Sequence, residues 1–353
     1  MTGPTIFAGR YELLRLLGRG AQGEVYAVKD LHEQSEAALK LLAPTHPGMQ
    51  WVEAIVLRSL EDDHILPIRN ADVHMGQPYL VTALARHGSV EKRIEATGGT
   101  GVDVDTAVAW TRQACHGVNR THAAWLVHND IKPGNLFIND RDECVVADFG
   151  YAGLIDASTG LAFAYGASAE TVAPEVAAAW GTPTHAASVA SDIFSLGASA
   201  WWMLTGHAPV DLSGVTDTVA RMAAAATASR PRLRDVAPHV PKRVGDCIDR
   251  AMASVPGDRF EKATDFAAAL GRRLSVARRW ERTDEHAGHL GCWRGMPTAS
   301  ARPLLVCAVP GTARKVAIRA TYQPSGRTYT AGCRTTTLAS WIAGVRAVIS
   351  SLS

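Results

Sequence analysis

The segment from Trp125 to Gly150 constrains this chain most, because it sets polar residues that resist burial beside two short apolar runs. Trp125-Leu126-Val127 precedes His128-Asn129-Asp130-Ile131-Lys132-Pro133-Gly134-Asn135, and Cys144-Val145-Val146-Ala147 precedes Asp148-Phe149-Gly150. Short apolar runs read as buried strands, so the polar residues fall in the loops that follow them. Asp130, as a free carboxylate, can orient a hydroxyl and accept its proton. Asn135 and Asp148, thirteen residues apart, offer the hard oxygens that magnesium prefers. Lys132 can neutralise charge on a group in transfer. Taken singly, each residue reads as ordinary surface. The ordered set reads as one site.

Two further signals lie upstream. Gly18-Arg19-Gly20-Ala21-Gln22-Gly23-Glu24-Val25 is a glycine-rich turn between strand candidates at Tyr11 to Leu17 and Glu24 to Asp30. Glycines let a backbone approach phosphates and leave its amides free to donate. Because the turn lies between strands rather than ahead of a helix, a dinucleotide-binding turn is disfavoured. Lys40 lies in a third candidate, Ala37 to Leu42, and a buried ammonium needs an anion. Nucleotide phosphates and Glu53, on a predicted helix from Trp51 to Leu60, are the two partners available. A lone lysine usually packs its stem and sends its head to solvent. The downstream site favours the paired reading.

With a buried strand predicted over 79–85, residues 10–85 read as short strands around one helix. From about residue 103 the pattern turns helical, as at Asp105 to His122, Ser191 to Leu204 and Val244 to Ser254. A strand-rich half followed by a helical half predicts two lobes with a cleft between them. The 353 residues are 47% hydrophobic, ample for a core, with no run of roughly 18 apolar residues to span a membrane. The start Met1-Thr2-Gly3-Pro4 lacks the basic and apolar parts of a secretory signal, so a soluble, cytoplasmic protein is expected. The 6 cysteines are scattered without a Cys-x-x-Cys pair, which counts against both a structural zinc site and a disulfide framework.

Net charge is unevenly spread. Residues 276–353 carry 11 Lys/Arg against 3 Asp/Glu, a net +8, leaving 25 against 31, or −6, for residues 1–275. No acidic residue follows Glu285. This shift marks a boundary near 275–290, with a linker over 276–290 and a basic unit over 291–353. Strands predicted at Leu304 to Val309, Val316 to Tyr322 and Arg327 to Cys333, then a helix from Thr337 to Leu352, make that unit β-β-β-α. Arg314, Lys315, Arg319, Arg327 and Arg334 are expected to share one face of its sheet. Such a face suits nucleic-acid or ribonucleoprotein contact, or docking on the acidic body.

Over about residues 10–275 the chain resembles the bacterial eukaryotic-like (Hanks-type) serine/threonine protein kinases. The resemblance implies an α+β, bilobal fold with an N-lobe of about 10–87 and a C-lobe of about 88–275. It implies ATP with Mg2+ (Mn2+ as an alternative) as cofactors and protein substrates as partners. By this likeness Gly18, Gly20 and Gly23 cover the phosphates, while Lys40 contacts them and pairs with Glu53. Val25, Ala38 and Leu136 sandwich the adenine beside the gatekeeper Thr82. Asp130 is the catalytic base, Asn135 and Asp148 hold the metal, and Ser168 bridges Asp130 and Lys132. Ala173-Pro174-Glu175 ends the activation segment, Asp192 braces the catalytic loop and Arg259 pairs with Glu175. Lys132 and Ser168 give the serine/threonine rather than the tyrosine form.

Departures from the family pattern are informative. Asn129 stands where regulated members carry an arginine that a phosphorylated segment neutralises, which predicts activity without phosphate on Ser158, Thr159, Ser168 or Thr171. Ala83 replaces an acidic residue after the gatekeeper. Thr171 and Ala167 replace a tyrosine and a glycine, and Ala177 to Pro183 runs long, all where peptide substrates dock. Two rival readings are a small-molecule phosphotransferase of the aminoglycoside or choline kinase type and a pseudokinase binding module. The first generally lacks the segments around Glu175, Asp192 and Arg259. The second usually loses Lys40, Asp130, Asn135 or Asp148, all present here.

Overall fold

The computed structural model describes residues 4–20, 23–42, 56, 58, 60–271, 277–283 and 286–353. Six strands begin the chain: β1 (Ile6–Phe7), β2 (Tyr11–Gly20), β3 (Gly23–Asp30), β4 (Ser35–Leu42), β5 (Ile68–His74) and β6 (Gln77–Ala83). They form one antiparallel sheet in the order β1-β2-β3-β4-β6-β5. Strand alternation divides its side chains between two faces. Tyr11, Val28, Ala37, Leu39, Tyr79 and Val81 make a small core on one face. The other face, carrying Leu80, joins the large core of the helical body. Of the helix expected over 51–60, only Val56, Arg58 and Leu60 are described, with Val56 and Arg58 helical.

The helical body follows, with α1 (Val90–Glu95), α2 (Val104–Ala123), β7 (Leu126–Val127), β8 (Leu136–Ile138), β9 (Cys144–Val146), β10 (Gly153–Leu154), β11 (Ala162–Phe163), α3 (Pro174–Ala178), β12 (Ala186–Ala187), α4 (Val189–Thr205), α5 (Thr218–Thr227), α6 (Lys242–Ala251) and α7 (Ala263–Gly271). Its centre is α4, buried almost all round and opened by a reciprocal cap between Ser188 and Ser191. It stops at Gly206, at φ +85°, where an added Cβ would lie 2.1 Å from the Gly99 carbonyl oxygen, so only glycine fits. The bulky, non-polar α4 aligns Asp192 toward the polar loop; helix α2 packs beside it.

The C-terminal region differs from expectation. Residues 276–290, read as a linker, contain strand β13 (Arg278–Thr283), and β14 (Gly291–Pro297) was not anticipated. With β15 (Leu304–Pro310), β16 (Lys315–Tyr322) and β17 (Arg334–Thr337) they form a five-stranded antiparallel sheet in chain order. The strand predicted over 327–333 is instead loop and a short 3-10 turn at Thr330–Gly332. Helix α8 (Trp341–Leu352) covers one sheet face, burying Trp293, Val306, Ile318, Val345 and Ile349 in a separate core. The five basic residues do not share a face. Arg319 is opposite Cys307 on the face away from α8, whereas Arg334 pairs with the core residue Ile318, and Arg314 and Arg327 lie between strands. The unit touches the helical body through Arg346, 2.7 Å from Asp235, and Arg279, 2.8 Å from Asp105.

Candidate functional site

Strand register assembles the upper wall of the cleft. Val25 pairs with Lys40, and Ala38 with Thr82, placing all four on the sheet face that carries Leu80 toward the helical body. Gly20 and Gly23 pair at the tip of the β2–β3 hairpin, and an added Cβ on Gly18 would meet nothing within 4 Å. The backbone there is bare. The Lys40 Nζ reaches the Asp148 carboxylate at 2.8 Å. Glu53, the other anticipated partner, lies outside the described residues.

The lower wall is built around Asp130, which is buried. Its carboxylate accepts the Ser168 hydroxyl at 2.6 Å and the Asn135 amide at 2.9 Å, with the Lys132 ammonium 3.0 Å away. Lys132 also donates to Ser168 Oγ at 2.8 Å, closing the triangle expected from the sequence. The Asn135 amide donates again to the Asp130 carbonyl at 2.8 Å, which leaves its side-chain oxygen for another partner. Burial works to lower the Lys132 pKa, but the carboxylates of Asp130, Asp148 and Glu91 together outweigh it, so the ammonium is held above its ordinary value. Burial likewise works to raise Asp148, and Lys40 with the cations behind it overcomes this, so the carboxylate lies below its ordinary range. Leu136 is fully buried on β8, directly after Asn135.

Asp192 fixes the backbone of this loop. Almost wholly buried, it accepts the N–H groups of His128 and Asn129 at 2.8 and 3.1 Å and lies 2.8 Å from the His122 ring. These bonds hold Asn129 at φ +69°, a left-handed conformation that asparagine tolerates better than most residues. Asp148 has φ +62° and is also held by its partner rather than by local preference. Sequence reasoning missed His122, whose position near the end of α2 carries no local signal for its partner 70 residues away.

Beside Asn129 the segment after Asp148 is tied down by neutral groups. Asn129 Nδ2 donates to the Tyr151 carbonyl at 2.8 Å and to the Phe163 carbonyl at 3.4 Å. Strand β10 pairs with β7, and β11 with β12. Thr171 donates to the Ile131 carbonyl at 2.9 Å, and Glu170 is paired with Arg221. At the segment's end Glu175 receives both arms of Arg259 at 2.7 and 2.8 Å. The Arg259 guanidinium also stacks 5.0 Å from the Phe194 ring and donates to the Ala190 and Ala253 carbonyls.

A two-lobed body with a lysine–aspartate pair across the cleft, a braced aspartate loop and a tethered segment defines the class. The family described as "Protein kinase domain" matches residues 11–268, and the chain belongs to it. Among curated relatives it is similar to the serine/threonine-protein kinase PknD of Mycobacterium tuberculosis, 29% identical over 296 residues, covering 78% of this chain and 41% of that protein. PknE of Mycobacterium bovis is 30% identical over 285 residues, covering 78% of this chain and 48% of that protein. Pkn1 of Myxococcus xanthus is 28% identical over 308 residues, covering 84% and 43%. The chain thus spans less than half the length of these relatives. The PknI kinase domain of M. tuberculosis shares the fold, with a TM-score of 0.55 at 24% identity over 76% of this chain and 97% of that one. No helix among the described residues is long and apolar enough to cross a membrane.

Proposed function

We propose that this chain is a serine/threonine protein kinase that transfers the ATP γ-phosphoryl group to hydroxyls of protein substrates, and that it does so without phosphate on its own activation segment. The observation that carries the reading is the Asp130 hub, with Ser168, Lys132 and Asn135 all within 3.0 Å of one buried carboxylate. Asp130 accepts the substrate hydroxyl proton and orients that oxygen for attack. Lys132, kept protonated beside it, offsets charge on the phosphoryl group in transfer. Lys40 holds the α- and β-phosphates, Gly18, Gly20 and Gly23 expose backbone amides above them, and Val25, Ala38, Thr82 and Leu136 enclose the base.

The donor set fits magnesium: the oxygen left open on Asn135 and the ionised Asp148 carboxylate are hard oxygen ligands. Bound there, magnesium would neutralise phosphate charge, with Asn135 and Asp148 as its protein ligands.

Independence from segment phosphorylation rests on Asn129. Its neutral amide holds Tyr151 and Phe163 by carbonyl bonds, so this position carries no cation for a phosphate to neutralise. Phosphate incorporation from labelled ATP into protein serine and threonine checks both parts. Asp130→Asn should lose roughly 10²–10⁴-fold in rate, the range for a general base. A chain with Ser158 and Thr159 changed to alanine and then treated with phosphatase should keep its rate. Equal rates in wild type and Asp130→Asn would remove the kinase reading; loss of turnover only after phosphatase would remove the second part alone.

A further inference from the structure

Outside the cleft, four metal-ligating side chains converge in the C-terminal sheet. His286 and His289 lie in the connection from β13 to β14, Cys292 is the second residue of β14, and Cys307 is its direct cross-strand partner on β15. Their ligand atoms all lie within 4.8 Å of one another. His289 Nδ1 is 3.3 Å from Cys292 Sγ, and His286 Nδ1 is 3.5 Å from both Cys292 Sγ and Cys307 Sγ.

The three nitrogen–sulfur separations match the edges of a coordination tetrahedron. Zinc binds imidazole nitrogen at about 2.0–2.1 Å and thiolate sulfur at about 2.3 Å, so a tetrahedral angle implies nitrogen–sulfur edges of about 3.5 Å. Hydrogen bonding accounts for the geometry less well. Sulfur is a weak acceptor and a weak donor, yet a single nitrogen of His286 approaches two sulfurs equally. Both sulfurs are buried, on the sheet face turned from α8, beside Leu305 and Val309. Two thiolates would cancel the charge of a dication, which suits a site next to Arg319, the cross-strand partner of Cys307.

We propose that His286, His289, Cys292 and Cys307 bind one structural zinc ion that pins the β13–β14 connection onto the sheet. Four protein ligands leave no open position, so the site is a clasp rather than a catalytic centre. Soft sulfur with imidazole at tetrahedral spacing selects zinc over the hard cations suited to the cleft. The sequence expectation against zinc rested on the missing Cys-x-x-Cys pair. Here the spacing is His-x-x-His-x-x-Cys, and the fourth ligand comes from the neighbouring strand by register, not by sequence.

The test uses the full chain, purified under reducing conditions without chelator from zinc-supplemented cells. Elemental analysis should find one zinc per chain, released when thiols are modified, because zinc requires them as thiolates. Cobalt(II) reconstitution should give the visible bands of a tetrahedral site with thiolate charge transfer. Cys307→Ser and His286→Ala should each lose the zinc and those bands, with phosphate transfer reporting that the kinase body is folded. Wild-type chain with neither stoichiometric zinc nor cobalt bands would overturn the proposal. So would a Cys292–Cys307 disulfide in that preparation, read by thiol counting and peptide mapping.

Discussion

The cleft and the C-terminal sheet both gather polar side chains, but they balance them in opposite ways. In the cleft three described carboxylates already have their complements: Asp130 has Lys132, Ser168 and Asn135, Asp148 has Lys40, and Asp192 has two backbone amides and His122. In the sheet, two imidazoles and two thiols converge, with their ligand atoms within 4.8 Å of one another. A set neutralised from within keeps its geometry between turnovers and can meet a transient ligand. A set of converging nitrogen and sulfur ligands gains most from a cation bound among them. The molecule therefore separates a site that hosts visitors from one built around a resident.

Four results would break or sharpen that contrast. Largest is the Asp130→Asn loss of phosphate transfer by roughly 10²–10⁴-fold, which should leave zinc content unchanged if the two sites are independent. Next is Glu175→Ala, which removes the carboxylate from the buried Arg259; denaturant unfolding should show a loss of about 3 kcal/mol, the low end for such pairs because carbonyl partners of Arg259 remain. Third is acid stability. The Arg10 guanidinium, hydrogen-bonded to Asp30, lowers that carboxyl from 3.8 to about 2. A depressed folded value means the stabilisation is full above the unfolded value and fades as pH falls from 3.8 toward 2. Asp30→Asn should therefore flatten the acid limb of stability and leave the neutral limb shape unchanged. Smallest is Arg346→Ala, removing a half-exposed pair with Asp235; about 0.5 kcal/mol of stability should go, more at low salt than at high.

How much could be read from the chain depended on whether a feature is contiguous. The loop from His128 to Asn135 and the triplet at Asp148 carry their chemistry in short runs, so the cleft residues were legible there, while their partners Ser168, Asp192 and Arg259 were legible only through the family likeness. The triangle of Asp130, Lys132 and Ser168 follows that reading. Asn129 was legible as a missing charge, but its role as a tether to Tyr151 and Phe163 was not, because the acceptors are carbonyls that no side chain announces. In the C-terminal sheet the pattern failed for physical reasons. Arg278–Thr283 has a single buried apolar residue, Trp280, so alternation was invisible and the segment passed for a linker. In β14, glycines at 291 and 295 interrupt the strand pattern, and an added Cβ there would strike the Trp293 and Trp280 rings. Arg327 to Cys333 has strand-like composition, but Tyr329 to Cys333 turns back on itself through the bonds of Gly332 and Cys333 to Tyr329 and Thr330. Side chains brought together by register were beyond the reach of spacing.

The brace at Asp192 has a consequence for synthesis. The amides it fixes lie 63 and 64 residues earlier in the chain, and its imidazole partner 70 residues earlier. A nascent chain emerging from the N-terminus carries the glycine turn, Lys40, Asp130 and Asp148 well before the residue that sets the loop. Contacts of such long separation form late. Transfer competence is thereby expected only once α4 has been made and packed, so a ribosome-bound fragment ending before Asp192 should show no phosphate transfer.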